Sequence, residues 1–131
     1  MKNNMITEDY VSFETAKLLK EKGFECEKDS ITAMYNEIGK FHPLSTAVAE
    51  YYYDYNDFDE YDYVAPTLQM AMKWLRKMHG LFIRITEDMT GNVFEWSVYQ
   101  KNYGCKASTY VEDSYEKACE TAIKYCLEIL I

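Results

Sequence analysis

The segment 67–100 constrains the fold most, because its apolar residues change from a helical spacing to a strand spacing within it. The helical part, TLQMAMKWLRKMHG, has Thr67 where an N-terminal cap is favoured and Gly80 where a helix ends. Its apolar residues at helical spacing are Leu68, Ala71, Met72 and Leu75. LFIRIT and VFEWSVYQ then alternate around EDMTGN, in which Gly91 and Asn92 favour a turn. We therefore predict a capped helix followed by a β-hairpin.

The same helix carries a second apolar strip, formed by Met70 and Trp74. A helix that is apolar on two sides is expected to be buried on two sides. We therefore predict that this helix lies near the middle of the fold or at a subunit contact, and that the protein is a homo-oligomer.

The rest of the chain completes an α+β pattern. A helix is predicted over 12–22, where Ser12 can cap the free amides, and a short hairpin is predicted within 26–41. KASTYV adds a third strand to the later hairpin, and a final helix, capped by Asp113 or Ser114, packs across the sheet.

These elements predict one domain over 1–131 with a two-layer α+β fold. We expect an antiparallel sheet of about 3–5 strands packed by about 3 helices, in the order α-β-β-(α)-α-β-β-β-α. The bracketed element covers 44–55, which the pattern allows as either helix or strand.

The segment 51–63, YYYDYNDFDEYDY, combines six tyrosines with five carboxylates and contains no basic residue. It belongs to a predicted connector over 51–65. The rings can cover the core while the acids face water, or the strip can bind a basic partner or mimic nucleic-acid charge. Calcium binding fits less well, because the glycine and terminal glutamate of the usual loop are missing. The residues predicted for protein interaction are Tyr53, Asp54, Tyr55, Asp57, Phe58, Asp59, Glu60 and Asp62.

The formal net charge of −8 at pH 7 narrows the range of partners. Repulsion opposes binding to DNA, RNA and anionic membranes, and the chain has only two arginines, Arg76 and Arg84. A membrane-spanning helix needs about 18 consecutive apolar residues, and every apolar stretch in this sequence is much shorter. The first ten residues, MKNNMITEDY, lack the apolar core of a signal peptide. We expect a cytoplasmic protein of a bacterial cell that contacts neither nucleic acid directly nor a membrane.

Side chains for catalysis or metal binding are sparse. The four cysteines have no CxxC pair, and His42 and His79 are not at metal-ligand spacing from them. We predict no metal, no cofactor and no enzymatic activity, and interpret the cysteines as small buried apolar residues. Cys105, which follows Gly104 in a predicted turn, would be a nucleophile only if the fold placed a histidine beside it.

The few cations near aromatic residues define the most concrete binding hypothesis. Arginine and lysine can form charge-assisted bonds to phosphate while aromatic rings stack on a base. The residues predicted for a nucleotide-type ligand are Arg84, Trp96, Arg76 and Lys73, with Tyr61 and Tyr63 as stacking or lid groups. The structural alternative is that these cations neutralise neighbouring acids.

Three blocks, VSFETAKLLKEKGF, APTLQMAMKWLRKMHG and SYEKACETAIKYCLEIL, resemble in the same order short uncharacterised proteins of gut Bacteroidetes, their mobile elements and their phages. That family has no established catalytic residues, so the resemblance implies an origin more than an activity. Small phage proteins of this kind often act against host defence by sequestering a nucleotide signal or occupying a host protein. The order of the last half is also similar to a double-stranded RNA-binding domain, but DSYEK lacks the phosphate-binding lysines of its final helix.

The sequence thus predicts a small non-catalytic binding protein, encoded by a phage or mobile element, that sequesters a nucleotide-type ligand. One alternative is an acidic inhibitor or nucleic-acid mimic that acts on a basic host protein through 51–63. Another is a structural interaction domain.

Overall fold

The computed structural model describes residues 6–44 and 62–131, with 109 and 110 described by their backbone alone. The described residues form three α-helices and six antiparallel strands, which confirms the predicted α+β class. In chain order the elements are α1 Phe13–Glu21, β1 Ala33–Tyr35, β2 Phe41–Pro43, β3 Tyr63–Val64, α2 Leu68–His79, β4 Leu81–Glu87, β5 Phe94–Gln100, β6 Gly104–Glu112 and α3 Tyr115–Tyr125. A 3₁₀ turn, Lys28–Ser30, precedes β1, and a π-helical turn, Cys126–Leu130, extends α3.

Each helix begins at a side-chain cap. The hydroxyls of Ser12, Thr67 and Ser114 accept hydrogen bonds from the backbone amides three residues later, at 3.2, 3.1 and 3.0 Å. Gly80 ends α2 with φ at 64°, a left-handed conformation that glycine adopts without steric cost. The predicted helix boundaries at these four residues are therefore confirmed.

The strands are divided between two sheets of three strands each, whereas the pattern predicts one sheet. In the first sheet β1 is central, with Met34 opposite His42 on one side and Val64 on the other. In the second sheet β5 is central. It forms the predicted hairpin with β4, where Arg84 lies opposite Ser97, and β6 is the predicted third strand.

Helix α3 lies at the centre of the core, whereas the sequence predicts α2 there or at a subunit contact. It contacts α1, α2 and all three strands of the second sheet. Its fully buried residues, continuing into the π-helical turn, are Ala118, Cys119, Ala122, Ile123, Cys126 and Leu127. Helix α2 buries its predicted stripe, but Met70 and Trp74 are only half-buried. Trp74 is covered in part by Phe24, whose ring lies 5.5 Å away.

The first sheet packs on α1 through aromatic residues. The Phe13 ring lies 5.5 Å from the Tyr35 ring and 5.6 Å from the Tyr63 ring. The Tyr35 hydroxyl donates to the Val11 carbonyl at 2.7 Å, which ties β1 to the start of α1. The end of the predicted connector 51–65 is thus strand β3, because Tyr63 and Val64 pair with β1. Residues 51–61 of the connector, and 45–55 of the bracketed element, lie outside the described residues.

Candidate ligand-binding face

The second sheet has a covered face and an open face. Leu81, Trp96 and Val98 on the covered face are buried in the core against α3. Because side chains alternate along a strand, the intervening residues point to the other side. We name these residues the outer face: Phe82, Arg84 and Thr86 of β4, Glu95, Ser97 and Tyr99 of β5, and Ser108 of β6. Five of the seven are exposed, and Ser97 and Tyr99 are half-buried.

Arg84 lies over an aromatic ring in the outer face. Its guanidinium carbon is 4.8 Å from the centroid of the Tyr99 ring, which belongs to the neighbouring cross-strand pair, Phe82 with Tyr99. In the part of the chain that the structure describes, Arg84 forms no salt bridge. Its planar guanidinium therefore combines a stacking surface with N–H donors that form no ion pair with any described carboxylate.

A groove of about 460 Å³ runs along the outer face. Besides Trp96, the described residues that border it are Thr86, Glu95, Ser97, Tyr99, Ser108 and Val111, and Arg84 lies next to it over the Tyr99 ring. Four of these six carry a hydroxyl, which can both donate and accept hydrogen bonds, and Glu95 can only accept when ionised. The volume is within the range of roughly 300–1,000 Å³ that small-molecule sites occupy. The groove can therefore hold a polar ligand of moderate size.

Irregular strand pairing accompanies the groove. The register between β5 and β6 shifts between Phe94 and Trp96 and again between Val98 and Tyr99, each time with an extra residue on β6. Such bulges increase the local twist and redirect side chains, and they often occur beside binding sites.

The residues predicted to form a ligand site are not brought together. Only Arg84 belongs to the outer face. Trp96 is 4% exposed on the covered face, with its ring 5.4 Å from that of Tyr125 on α3. Lys73 is exposed and Arg76 is half-buried on α2, which packs against α3.

The described part of the acidic strip contacts α1. The Lys20 ammonium lies 4.9 Å from the centroid of the Tyr63 ring and donates to the Asp62 carbonyl at 2.9 Å. Tyr63 therefore helps to attach β3 to α1 and lies in the other sheet from Arg84. Tyr61 and the predicted interaction residues within 53–60 lie outside the described residues.

The sequence pattern missed the partners of Arg84. The alternation places Phe82 and Thr86 beside it on β4, but the residues across from it depend on strand register. That register brings Ser97, Tyr99 and Ser108 onto the same face. The signal for this face in the sequence was the pattern in which Arg84 and Thr86 on β4, and Glu95, Ser97 and Tyr99 on β5, alternate with apolar residues.

Two of the cysteines are buried, as predicted. Cys119 and Cys126 are fully buried in α3 and its extension, and burial raises their pKa values to about 11 and about 12. Both thiols therefore stay protonated at neutral pH and act as small apolar groups. Cys26 is half-buried, and burial also raises its pKa.

Cys105 is exposed at the start of β6, so the prediction of a buried residue is wrong at this position. Its thiol donates weakly to the Ala107 carbonyl at 3.4 Å. His42 lies in β2 of the other sheet, and the His79 ring packs 4.8 Å from the Trp74 ring. Within 6–44 and 62–131, neither histidine is hydrogen-bonded to Cys105.

A polar cluster joins α1 to α3. Glu120 Oε1 accepts hydrogen bonds from the Ser12 amide at 3.0 Å and from the Thr15 hydroxyl at 2.7 Å. Thr15 is completely buried, and Glu120 Oε2 is buried without a hydrogen-bond partner. Burial, aided by the negative charge of Glu120, raises the pKa of Tyr35. These hydrogen bonds attach the start of α1, on which the first sheet packs, to α3.

Comparison with protein-family models, with curated proteins and with solved structures gave no match. Among the described residues, no three His, Cys, Asp or Glu side chains are grouped so that they could hold a metal ion. No helix in that part of the chain has the length and apolar character required to cross a membrane.

Proposed function

We propose that this protein binds, without catalysis, a small anionic ligand of the nucleotide type on its outer face. The observation that carries the proposal is the position of Arg84. In a chain with a net charge of −8, its guanidinium lies over the Tyr99 ring and forms no salt bridge among the described residues. An arginine that is stacked but not neutralised is suited to pair with a phosphate.

The outer face supplies the other groups that a nucleotide requires. A base can stack on the exposed surface of the Arg84 guanidinium or on Phe82, which is 43% exposed. The hydroxyls of Ser97 and Ser108 lie on the same cross-strand row as Arg84 and can hydrogen-bond sugar or phosphate oxygens. Glu95, on the next row, can accept from the amino group of a base while it repels the phosphate towards Arg84.

The chemistry of this face supports the proposal of binding without catalysis. The residues named above contribute hydroxyls, aromatic rings, one guanidinium and one carboxylate, and the Cys105 thiol lies opposite Tyr99. Neither His42 nor His79 belongs to this face. The exposed thiol of Cys105 has no adjacent base among its described contacts.

The test is thermal unfolding with millimolar nucleoside, inorganic phosphate or nucleoside monophosphate. A ligand at ten times its Kd adds about 1.4 kcal/mol to the free energy of unfolding. We expect the monophosphate to raise Tm more than phosphate or nucleoside alone. Arg84→Ala should remove the increase, whereas the control Lys40→Ala, which removes one exposed positive charge from the connection between β1 and β2, should retain it. An unchanged Tm with every ligand would refute the proposal.

The setting we propose rests on the resemblance of the three sequence blocks. It is the cytoplasm of a bacterial cell, where a phage or mobile-element accessory protein would sequester a nucleotide signal of host defence. A homo-oligomer is also proposed, supported by the incomplete burial of Met70 and Trp74 on α2.

The uneven distribution of acids favours a second candidate, an inhibitor that binds a basic host protein. Residues 1–63 carry fourteen of the 22 acids, five of them within 51–63. Association through 51–63 should weaken steeply with added salt. Replacing these five acids by their amides should abolish it, and unchanged binding would exclude this candidate.

A further inference from the structure

Positive charge is concentrated at one end of the second sheet. Residues 64–111 contain six basic and three acidic side chains, although the chain has 14 basic and 22 acidic ones. The three acids, Glu87, Asp88 and Glu95, lie at or beside the turn that joins β4 to β5. The opposite end, where β4 starts, β5 ends and β6 starts, has basic residues and no acid from this segment.

Two cations and three aromatic residues lie at this end of the sheet, and a third cation, Arg84, lies in the middle of β4 with its guanidinium over the Tyr99 ring. We name them the basic end: Arg84, Lys101, Lys106, Phe82, Tyr99 and Tyr103. None of the three cations forms a salt bridge within the part of the chain that is described. Two of them lie over rings instead, Arg84 at 4.8 Å from the Tyr99 centroid and the Lys106 ammonium at 5.3 Å from the Tyr103 centroid.

The backbone holds Tyr103 in an exposed position. Asn102 adopts a left-handed conformation with φ at 71°, which asparagine tolerates better than most residues. The Tyr103 amide donates to the Gln100 carbonyl at 3.0 Å, and the Lys101 amide donates to the Gly80 carbonyl at 2.9 Å. The first of these bonds closes the turn, and the second attaches it to the end of α2. On this turn the Tyr103 side chain is 73% exposed.

The two cation–ring pairs are neighbours. Gln100 pairs with Gly104, so Tyr99 lies one residue inside this cross-strand pair and Tyr103 lies one residue outside it. The hydrogen bond from Tyr103 to Gln100 closes a turn whose ends are within about 7 Å, so the Cα atoms of Tyr99 and Tyr103 lie within about 11 Å of each other. A ligand that repeats the combination of base and phosphate can reach both pairs.

On the basis of the proposed function, we infer that the ligand is a short phosphodiester-linked nucleotide of two or three units and not a mononucleotide. Arg84 and Tyr99 hold one base and phosphate, and Lys106 and Tyr103 hold the next. Proteins that bind single strands combine stacking rings with cations in this way. A long strand would extend past the few cations of the basic end towards the acidic remainder of the chain, which opposes its binding.

The test compares the Kd of AMP, the 5′-phosphorylated dinucleotide pApA and a twelve-nucleotide single strand by isothermal titration calorimetry. We expect pApA to bind about tenfold or more tightly than AMP, because it adds one stacked base and one phosphate contact. Tyr103→Ala and Lys106→Ala should each reduce the affinity for pApA to that for AMP and leave the affinity for AMP unchanged. Arg84→Ala should weaken the binding of both ligands, and Lys40→Ala, between β1 and β2, should weaken the binding of neither.

Equal Kd values for AMP and pApA, or a Tyr103→Ala protein that binds pApA as the wild type does, would overturn this inference and leave the proposed function standing. If the wild-type protein binds none of the three ligands, both this inference and the proposed function are overturned. Tighter binding of the twelve-nucleotide strand than of pApA would overturn the assignment to a short ligand.

Discussion

Replacing Glu120 by alanine should destabilise the fold, although Glu120 lies on α3 and not on the outer face. The substitution removes the acceptor of two hydrogen bonds, one from the Ser12 amide and one from the Thr15 hydroxyl. Thr15 is completely buried, so its hydroxyl would lose a charged acceptor that water cannot easily replace. The Ser12 amide is closer to solvent and would lose less.

The magnitude follows from the two bonds and two compensating changes. The buried bond to the carboxylate is worth roughly 1.5–3 kcal/mol, and the exposed bond roughly 0.5–1.5 kcal/mol. Removal of the unpartnered Glu120 Oε2 returns about 1 kcal/mol, and alanine is the better helix former by a few tenths. We therefore expect a net loss of about 2 kcal/mol, which for a domain of this size lowers Tm by about 7 °C.

The assay is urea unfolding followed by circular dichroism. Glu116→Ala, which removes an exposed acid one helical turn earlier on α3, is the matched control and should cost less than about 1 kcal/mol. Thr15→Val completes a double-mutant cycle, in which the coupling with Glu120→Ala should be about 1–2 kcal/mol. A Glu120→Ala protein as stable as the wild type, or a cycle without coupling, would refute the role of Glu120 in holding α1.

Two further predictions concern packing and thiol chemistry. Gly39→Ala should lower the free energy of unfolding by more than about 1 kcal/mol, because φ is +87° and the new Cβ would lie 2.8 Å from the Phe13 ring. An unchanged Tm would contradict that packing. In native protein at pH 8, a thiol reagent should modify Cys105 rapidly and should leave Cys119 and Cys126, with pKa values of about 11 and about 12, unmodified until the protein is unfolded. Mass spectrometry of the labelled peptides checks this, and rapid labelling of Cys119 would be the contrary result.

Local signals in the sequence predicted the local structure correctly. The cap at Thr67, the left-handed Gly80 and the hairpin that follows depend on residues within a few positions of one another. The separation of the strands into two sheets was not predictable in this way. Strand β3 has two residues, and its partner β1 is distant in the sequence, with Tyr63 opposite Tyr35.

The candidate site was predictable only in part for the same reason. Alternation along β4 places Arg84 on the face opposite Leu81, but it does not determine which face of β5 is aligned with it. The pairing of Arg84 with Ser97 puts Trp96 on the covered face and Tyr99 beside the guanidinium. The hydrogen bonds of Glu120 were also not predictable from the sequence, because their partners are 105 and 108 positions away in the chain.

The central claim is that the outer face binds a nucleotide-type anion, and amide chemical shifts during a titration with AMP test it most directly. We predict saturable shift changes in β4, β5 and β6 that are largest at Arg84, Ser97 and Tyr99, with little change in β1, β2 or α1. Arg84→Ala should abolish these changes. An absence of saturable shifts at millimolar AMP, or shifts confined to the first sheet, would contradict the account.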